Sequence, residues 1–130
     1  GRQYAFDYLD QVYGDKNIYS TPRDMLKWDQ APYGSLFSRA ILDSAFVGYS
    51  FEKPGINNYG PGWRMFDLKN GKKFVYHNGW WHGNTSSYIT LKKEGVTIIA
   101  LSNKMTRNTY AVRKLAPIFG DYPFNFKDEE

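Results

Sequence analysis

From residue 63 to residue 101 the chain alternates short strand-like runs with turn signals, and this rhythm restricts the possible folds more than any other feature. Residues 63–68 form the first run. Asn70-Gly71 supplies a tight turn, and residues 73–77 (Lys-Phe-Val-Tyr-His) return in two-residue alternation. Residues 85–91 form a third run, and Lys92-Lys93-Glu94-Gly95 turns the chain into residues 96–101, whose unbroken apolar stretch predicts a central strand. Links this short join antiparallel strands, because a parallel pair needs a crossover of a dozen residues or more. About four antiparallel strands are expected.

Helix signals flank this block. Thr21 is a cap residue, Pro22 suits the first helical position, and Asp24 stands three residues after the cap, which predicts a helix from Pro22 to about Ala31. Met25, Leu26 and Trp28 make its apolar stripe. From Ser38 the pairs Ile41 with Ala45 and Leu42 with Phe46 indicate a second short helix before Gly48. A third, over residues 108–119, carries Tyr110, Val112, Leu115, Ile118 and Phe119 for the sheet and stops at Gly120. Gly14-Asp15-Lys16-Asn17 reads as a turn, and the Gly-, Asn- and Pro-rich residues 55–62 as a loop. Phe124, Phe126 and the acidic Asp128-Glu129-Glu130 read as a packed arm and a frayed end. The expected class is therefore α+β: an antiparallel sheet of about four strands with flanking helices and a C-terminal helix.

With 130 residues, 42% of them hydrophobic, the chain has material for one core. Its net charge of +4 is spread without a basic run, which argues against a nucleic-acid partner. The absence of cysteine removes disulfides, thiolate zinc sites and a Cys nucleophile together. No stretch reaches the about 18 apolar residues of a membrane span.

The residues most suited to chemistry are His77-Asn78-Gly79-Trp80-Trp81-His82-Gly83, which hold both histidines and two of the four tryptophans. They read as a strand end followed by a connecting loop, and loops on a rigid sheet often carry function. A metal site is not expected. The histidines are five apart with no carboxylate or cysteine between them, whereas a helical zinc pair needs four-residue spacing and a third ligand. No cofactor is implied. Ser50-Phe51-Glu52-Lys53 matches a Ser-x-x-Lys pattern, but that chemistry needs the lysine one helical turn from the serine, and Pro54-Gly55 oppose a helix. Trp80, Trp81 and Tyr88 offer an alternative without catalysis, as a stacking surface of a glycan- or peptide-binding module.

Three blocks of sequence resemble a known family. The stretch Gly14-Asp15-Lys16-Asn17-Ile18-Tyr19-Ser20-Thr21-Pro22-Arg23-Asp24-Met25-Leu26-Lys27-Trp28 is similar to a glycine turn, Ser-Thr cap and helix, and Tyr59-Gly60-Pro61-Gly62-Trp63 to a Tyr-Gly-x-Gly-Trp lead-in to a strand. His77-Asn78-Gly79 is similar to a third catalytic motif, Lys-Thr-Gly or His-x-Gly. Together they resemble the serine hydrolases that share the fold of class C β-lactamases, D-alanyl-D-alanine carboxypeptidases and related esterases.

The resemblance implies that residues 1–130 are one fragment, the C-terminal part of such a domain, because the Ser-x-x-Lys nucleophile and the Tyr-x-Asn motif are not found here. It implies hydrolysis of an ester, amide or peptide bond through an acyl-enzyme, with a small-molecule or peptide substrate and a missing N-terminal part as partners. It further implies His77, Asn78, Gly79 and Trp80 as catalytic-wall residues, the Trp80 N–H as one of two oxyanion-hole donors, and Trp81 and His82 at the substrate. Asn78 replaces the threonine of β-lactamases and Trp80 a small residue, which points away from a β-lactam as natural substrate. A periplasmic or cell-envelope location and a dimer through an exposed sheet edge are further expectations.

Overall fold

The structure, a computed structural model, describes residues 3–31, 36–50 and 57–125. Five strands, β1 (Asn57–Tyr59), β2 (Arg64–Asp67), β3 (Lys73–Trp81), β4 (Asn84–Leu91) and β5 (Val96–Ser102), form one antiparallel meander in the order β1-β2-β3-β4-β5. The helices are α1 (Tyr13–Lys16), α2 (Pro22–Gln30) and α3 (Arg39–Ala45), with a 3₁₀ turn at Tyr8–Gln11 and a C-terminal 3₁₀ helix at Arg107–Ile118. No helix among the described residues is long and apolar enough to cross a membrane. The α+β class is as expected, with refinements.

The turns follow from local chemistry. Gly71 adopts φ 76°, which the chain needs where Leu68 bonds back to Lys72 across Asn70-Gly71. Gly95 (φ 65°) does the same between β4 and β5. The extra strand β1 lies in the stretch that composition marks as loop. Its pairing is a backbone matter: Tyr59 exchanges hydrogen bonds with Ser50 on one side and pairs with Arg64 on the other. The buried Asn58 carboxamide donates to Asp67 and accepts from the Tyr59 N–H, occupying the space where a side chain at Gly48 would stand.

Two other expectations change. Residues 14–17 are mostly one helical turn, α1. Strand β5 is not central: among the described residues it pairs with β4 alone. Its apolar run has a different cause, since α2 lies against one face of β5 and the C-terminal 3₁₀ helix against the other. An unbroken apolar strand signals two covered faces, whatever its place in the sheet.

The sheet therefore has an outer face, toward the C-terminal helix, and an inner face, toward α2. Alternation places Phe66, Leu68, Phe74, Ile89 and Leu91 on the outer face, where they are buried with Ala116 and Tyr122 and packed by Tyr76, Val96, Ile98 and Val112. Each such large side chain taken fully from water contributes about 1.5–3 kcal/mol. A polar latch closes this side: Lys72 lies 2.6 Å from Glu94, and the Tyr122 hydroxyl donates to the same carboxylate. Burial opposes ionisation of Glu94, but the bonds from Lys72 and Tyr122 outweigh it and hold its pKa below the usual carboxylate value.

Helix α2 begins as its sequence predicts. The Thr21 hydroxyl accepts from the Asp24 N–H at 3.2 Å, and Pro22 occupies the first turn. Ser38 caps α3 in the same manner. On the inner face Trp28, Trp63, Tyr88 and Phe46 meet as a ring cluster, with centroids 5.2–6.2 Å apart. The Tyr88 hydroxyl donates to Asp29 of α2, and Thr97 of β5 reaches the same carboxylate at 2.9 Å. Burial first, then the Asp29 carboxylate, raises the Tyr88 pKa far above the phenol range, so it remains a donor.

Candidate functional site

The heptapeptide is more strand than its sequence suggests. Strand β3 continues through Trp81, and only His82-Gly83 forms the turn, with His82 at φ 48°. Strand β2 pairs with β3 from Lys73 to Tyr76, whereas β4 pairs from Val75 to Trp81. From His77 onward one edge of β3 is consequently bare among the described residues.

A two-residue turn closes on a hydrogen-bonded pair, here Trp81 with Asn84. Alternation then directs the backbone groups of Gly79 and His77 at β4, and those of Asn78 and Trp80 at the bare edge. Side chains follow the opposite rule. His77, Gly79 and Trp81 belong to the inner face, while Asn78 and Trp80 belong to the outer.

His77 faces the inner side at the margin of the sheet. Its Nε2 lies 3.3 Å from the Tyr59 hydroxyl, and the Arg64 guanidinium sits 5.0 Å over the Tyr59 ring. Although the side chain keeps an open face to solvent, partial burial and then the Arg64 charge hold its pKa below the usual histidine value, against a hydrogen bond at the Asn78 backbone. The neutral imidazole is the form present at neutral pH, able to donate at one nitrogen and accept at the other.

Gly79 has a local reason to lack a side chain, since a Cβ there would stand 2.5 Å from the Ser86 hydroxyl. Trp80 is 64% exposed. Asn78 turns its carboxamide away from His77, into a small cavity bounded by Tyr110 and Arg113, where its Oδ1 is buried without a hydrogen-bond partner.

Trp81 and His82 are engaged by the N-terminal arm. The Trp81 indole N–H donates to Asp10, whose carboxylate also lies 3.1 Å from His82 Nε2. Lys16 stands 4.7 Å over the Trp81 ring, and the Tyr4 ring rests 4.8 Å from His82. Asp10 is held by its own capping box, accepting from the Asp7 N–H at 2.7 Å. The Trp81 bond above all keeps the Asp10 pKa low. Between residues 15–20 and the ends of β3, β4 and β5 lies a cleft of about 370 Å³, with Gly79, Trp81, Ser86 and Leu101 among its walls.

The structure thus brings His77, Gly79 and the Trp80 N–H to one edge. It sends the Asn78 side chain elsewhere and fastens Trp81 and His82 to Asp10. Trp80, Trp81 and Tyr88 form no single exposed platform: Trp80 belongs to the outer face, and Tyr88, on the inner face with Trp81, is buried at 8% exposure among Trp28 and Trp63. Ser50 spends its backbone groups on Tyr59, and Lys53 lies outside the described residues. Among the described residues no three His, Cys, Asp or Glu side chains converge as a metal site would require. Asp10 and Tyr59 are partners that sequence reasoning does not single out. Tyr59 has a signal in its Tyr-Gly-x-Gly-Trp motif. Asp10, separated from Trp81 by 71 positions, has none.

Comparison with known proteins gives the family. The family model described as Beta-lactamase matches residues 2–119. Penicillin-binding protein 4* of Bacillus subtilis (strain 168) is 33% identical over 104 residues, which cover 79% of this chain and 23% of that relative. The chain therefore spans under a quarter of the relative's length. No solved structure gives a significant match.

Proposed function

Since this chain belongs to the beta-lactamase family, we propose that it forms one wall of a serine hydrolase site, as the C-terminal part of a domain whose nucleophile lies outside residues 1–130. The observation that carries the reading is the edge of β3 from His77 onward, where the Trp80 N–H, directed away from β4, has no strand partner among the described residues and lies beside a histidine whose neutral form is favoured.

The chemistry follows from that edge. A serine hydroxyl adds to the carbonyl carbon of an ester, amide or peptide, its proton passing to a base supplied by the remainder of the domain. The carbonyl oxygen becomes an oxyanion, and the Trp80 N–H donates to it. One such fixed donor contributes about 3–4 kcal/mol, because it strengthens as the charge develops. Collapse expels the protonated leaving group and leaves an acyl-serine, which water hydrolyses. The Asn78 carbonyl, directed at the same edge, accepts from an N–H of the substrate, while its side chain points away from the substrate, toward the outer face. His77, fixed by Tyr59, donates a hydrogen bond to the substrate or its leaving group. Trp81 and His82 shape the cleft and are steadied by Asp10.

Surface supports the fragment reading. The exposed inner-side side chains include Leu26, Trp28, Phe37 and Ile41, and one edge of β5 is bare among the described residues. A layer supplied by the same domain would cover them; in its absence, self-association through that edge is expected.

A fluorophosphonate probe decides between the options. It is expected to label the complete gene product and to leave residues 1–130 unlabelled when they are expressed alone. Labelling of the short form at Ser50 would overturn the assignment of the nucleophile, and a complete gene product that resists every serine-directed probe would favour a binding-only relative.

A further inference from the structure

The peptide that joins Gly79 to Trp80 has two polar ends. In a trans peptide they point in opposite directions, so when the Trp80 N–H faces the bare edge the Gly79 carbonyl faces inward, toward β4. That carbonyl has a second partner. The hydroxyl of Tyr110, from the C-terminal 3₁₀ helix on the outer face, donates to it at 3.2 Å.

The turn of helix that carries Tyr110 is itself pinned. The neighbouring Thr109 hydroxyl lies 2.9 Å from that of Thr85, both are buried, and Thr85 donates to the Lys104 carbonyl at 3.1 Å. Thr85 is the residue directly across from Trp80 in the ladder. The helix thus grips the sheet at the register position of the donor.

We propose that Tyr110 is a positioning residue for the oxyanion donor: its hydroxyl fixes the plane of the Gly79–Trp80 peptide and polarises it through the carbonyl. The proposal rests on the hydrolase reading given above. Little else controls this peptide. Gly79 has no side chain to anchor it, and the Trp80 ring is largely in solvent. The ladder to β4 and the Tyr110 bond are what remain. A hydrogen bond accepted by an amide carbonyl shifts charge across the amide and makes its N–H a better donor, by about 10–30% of the bond's strength. One oxyanion donor is worth about 10²–10³ in rate. The same fraction of that exponent predicts that losing the Tyr110 hydroxyl slows acylation by about 2- to 8-fold.

The test uses the complete gene product, labelled with ¹⁵N-tryptophan. Tyr110→Phe is expected to move the Trp80 amide resonance upfield and to slow acylation by a fluorophosphonate within the stated range, with the probe's initial binding constant unchanged. Tyr122→Phe removes another hydroxyl from the same face, at the Glu94 latch, and is expected to leave the Trp80 resonance in place. If Tyr110→Phe does not fold, a ring-fluorinated tyrosine at position 110, a stronger donor, is expected to move the resonance downfield and raise the acylation rate. An unmoved Trp80 amide in a folded variant, or an acylation rate equal to that of the wild type, overturns the proposal. A wild-type protein that no probe acylates sinks the hydrolase reading and the catalytic half of this one, while the amide shift still reports whether Tyr110 orients the peptide.

Discussion

Residues 3–50 and residues 57–125 both carry many large apolar side chains, yet they dispose of them differently. Every buried side chain among the described residues lies between Asn58 and Tyr122; before them, none of the three helices holds a single buried residue. The sheet finds its covering layer within the chain, as the C-terminal helix lies on its outer face. The helices before it meet the inner face as a single, incomplete layer. A helix can satisfy its own backbone and cap itself, as α2 does, without burying anything, whereas an apolar stripe needs a second surface. The difference teaches where the proposed missing part belongs: on the inner side, over α2, α3 and the bare edges.

The sharpest way to break this comparison is to remove one side chain from each region. Phe74→Ala, at 1% exposure, is expected to cost about 3–5 kcal/mol in urea unfolding. Leu26→Ala, at 40% exposure in α2, is expected to cost under about 1 kcal/mol. Equal costs would mean that the helical region has a core of its own.

The latch of the sheet region comes next in size. Glu94→Gln is expected to destabilise by about 1–2 kcal/mol, because Lys72 loses its charge partner where some solvent still reaches the pair. Since the folded pKa of Glu94 lies below its ordinary 4.5, the stabilisation is complete above that value and disappears as pH falls through the lowered one. The variant should flatten that part of the acid-unfolding curve; an unchanged curve would show that the latch carries none of the acid response.

Smaller effects belong to the contacts between the regions. Asp10→Asn is expected to speed hydrogen exchange at the Trp81 indole and across the N-terminal arm, without moving the unfolding midpoint of the sheet. A lowered midpoint would join the arm to the core. The smallest effect concerns His77. Its folded pKa is depressed, so the neutral form is favoured by the fold, and stability is lost as pH falls from about 6.5 through the lowered value. Imidazole resonances should give a His77 midpoint below 6.5, and Arg64→Gln should raise it; a midpoint at or above 6.5 would contradict the neutral histidine of the site.

The same contrast explains what is legible in the sequence. Strands β2 to β5 announce themselves because alternation and the turn glycines at 71 and 95 are local signals. The cap at Thr21 is readable for that reason too, whereas His77-Asn78-Gly79 stands out as a motif only through its resemblance to the family's own. Strand β1 is not, since two of its three residues, Asn57 and Asn58, are poor strand formers and the strand is held by backbone pairing with β2 and Ser50. The place of β5 is misread because an apolar strand reports covered faces and says nothing of its edges. Asp10 escapes notice, and Tyr110 is legible only as a sheet-facing residue and not as the partner of Gly79, because each meets β3 across a long stretch of chain and one sequence holds no trace of such a meeting.

The meander also sets an order of assembly. Each strand of it pairs with its neighbour through a link of a few residues, so its contacts close small loops and form early. The bond from Asp10 to Trp81 closes a span of 71 residues and pins an arm that buries nothing. Such a contact is expected to form late and to open early, which hydrogen exchange at the Trp81 indole would report. The edge proposed to meet the substrate is thus folded before the arm beside it arrives, and it persists each time that arm lets go.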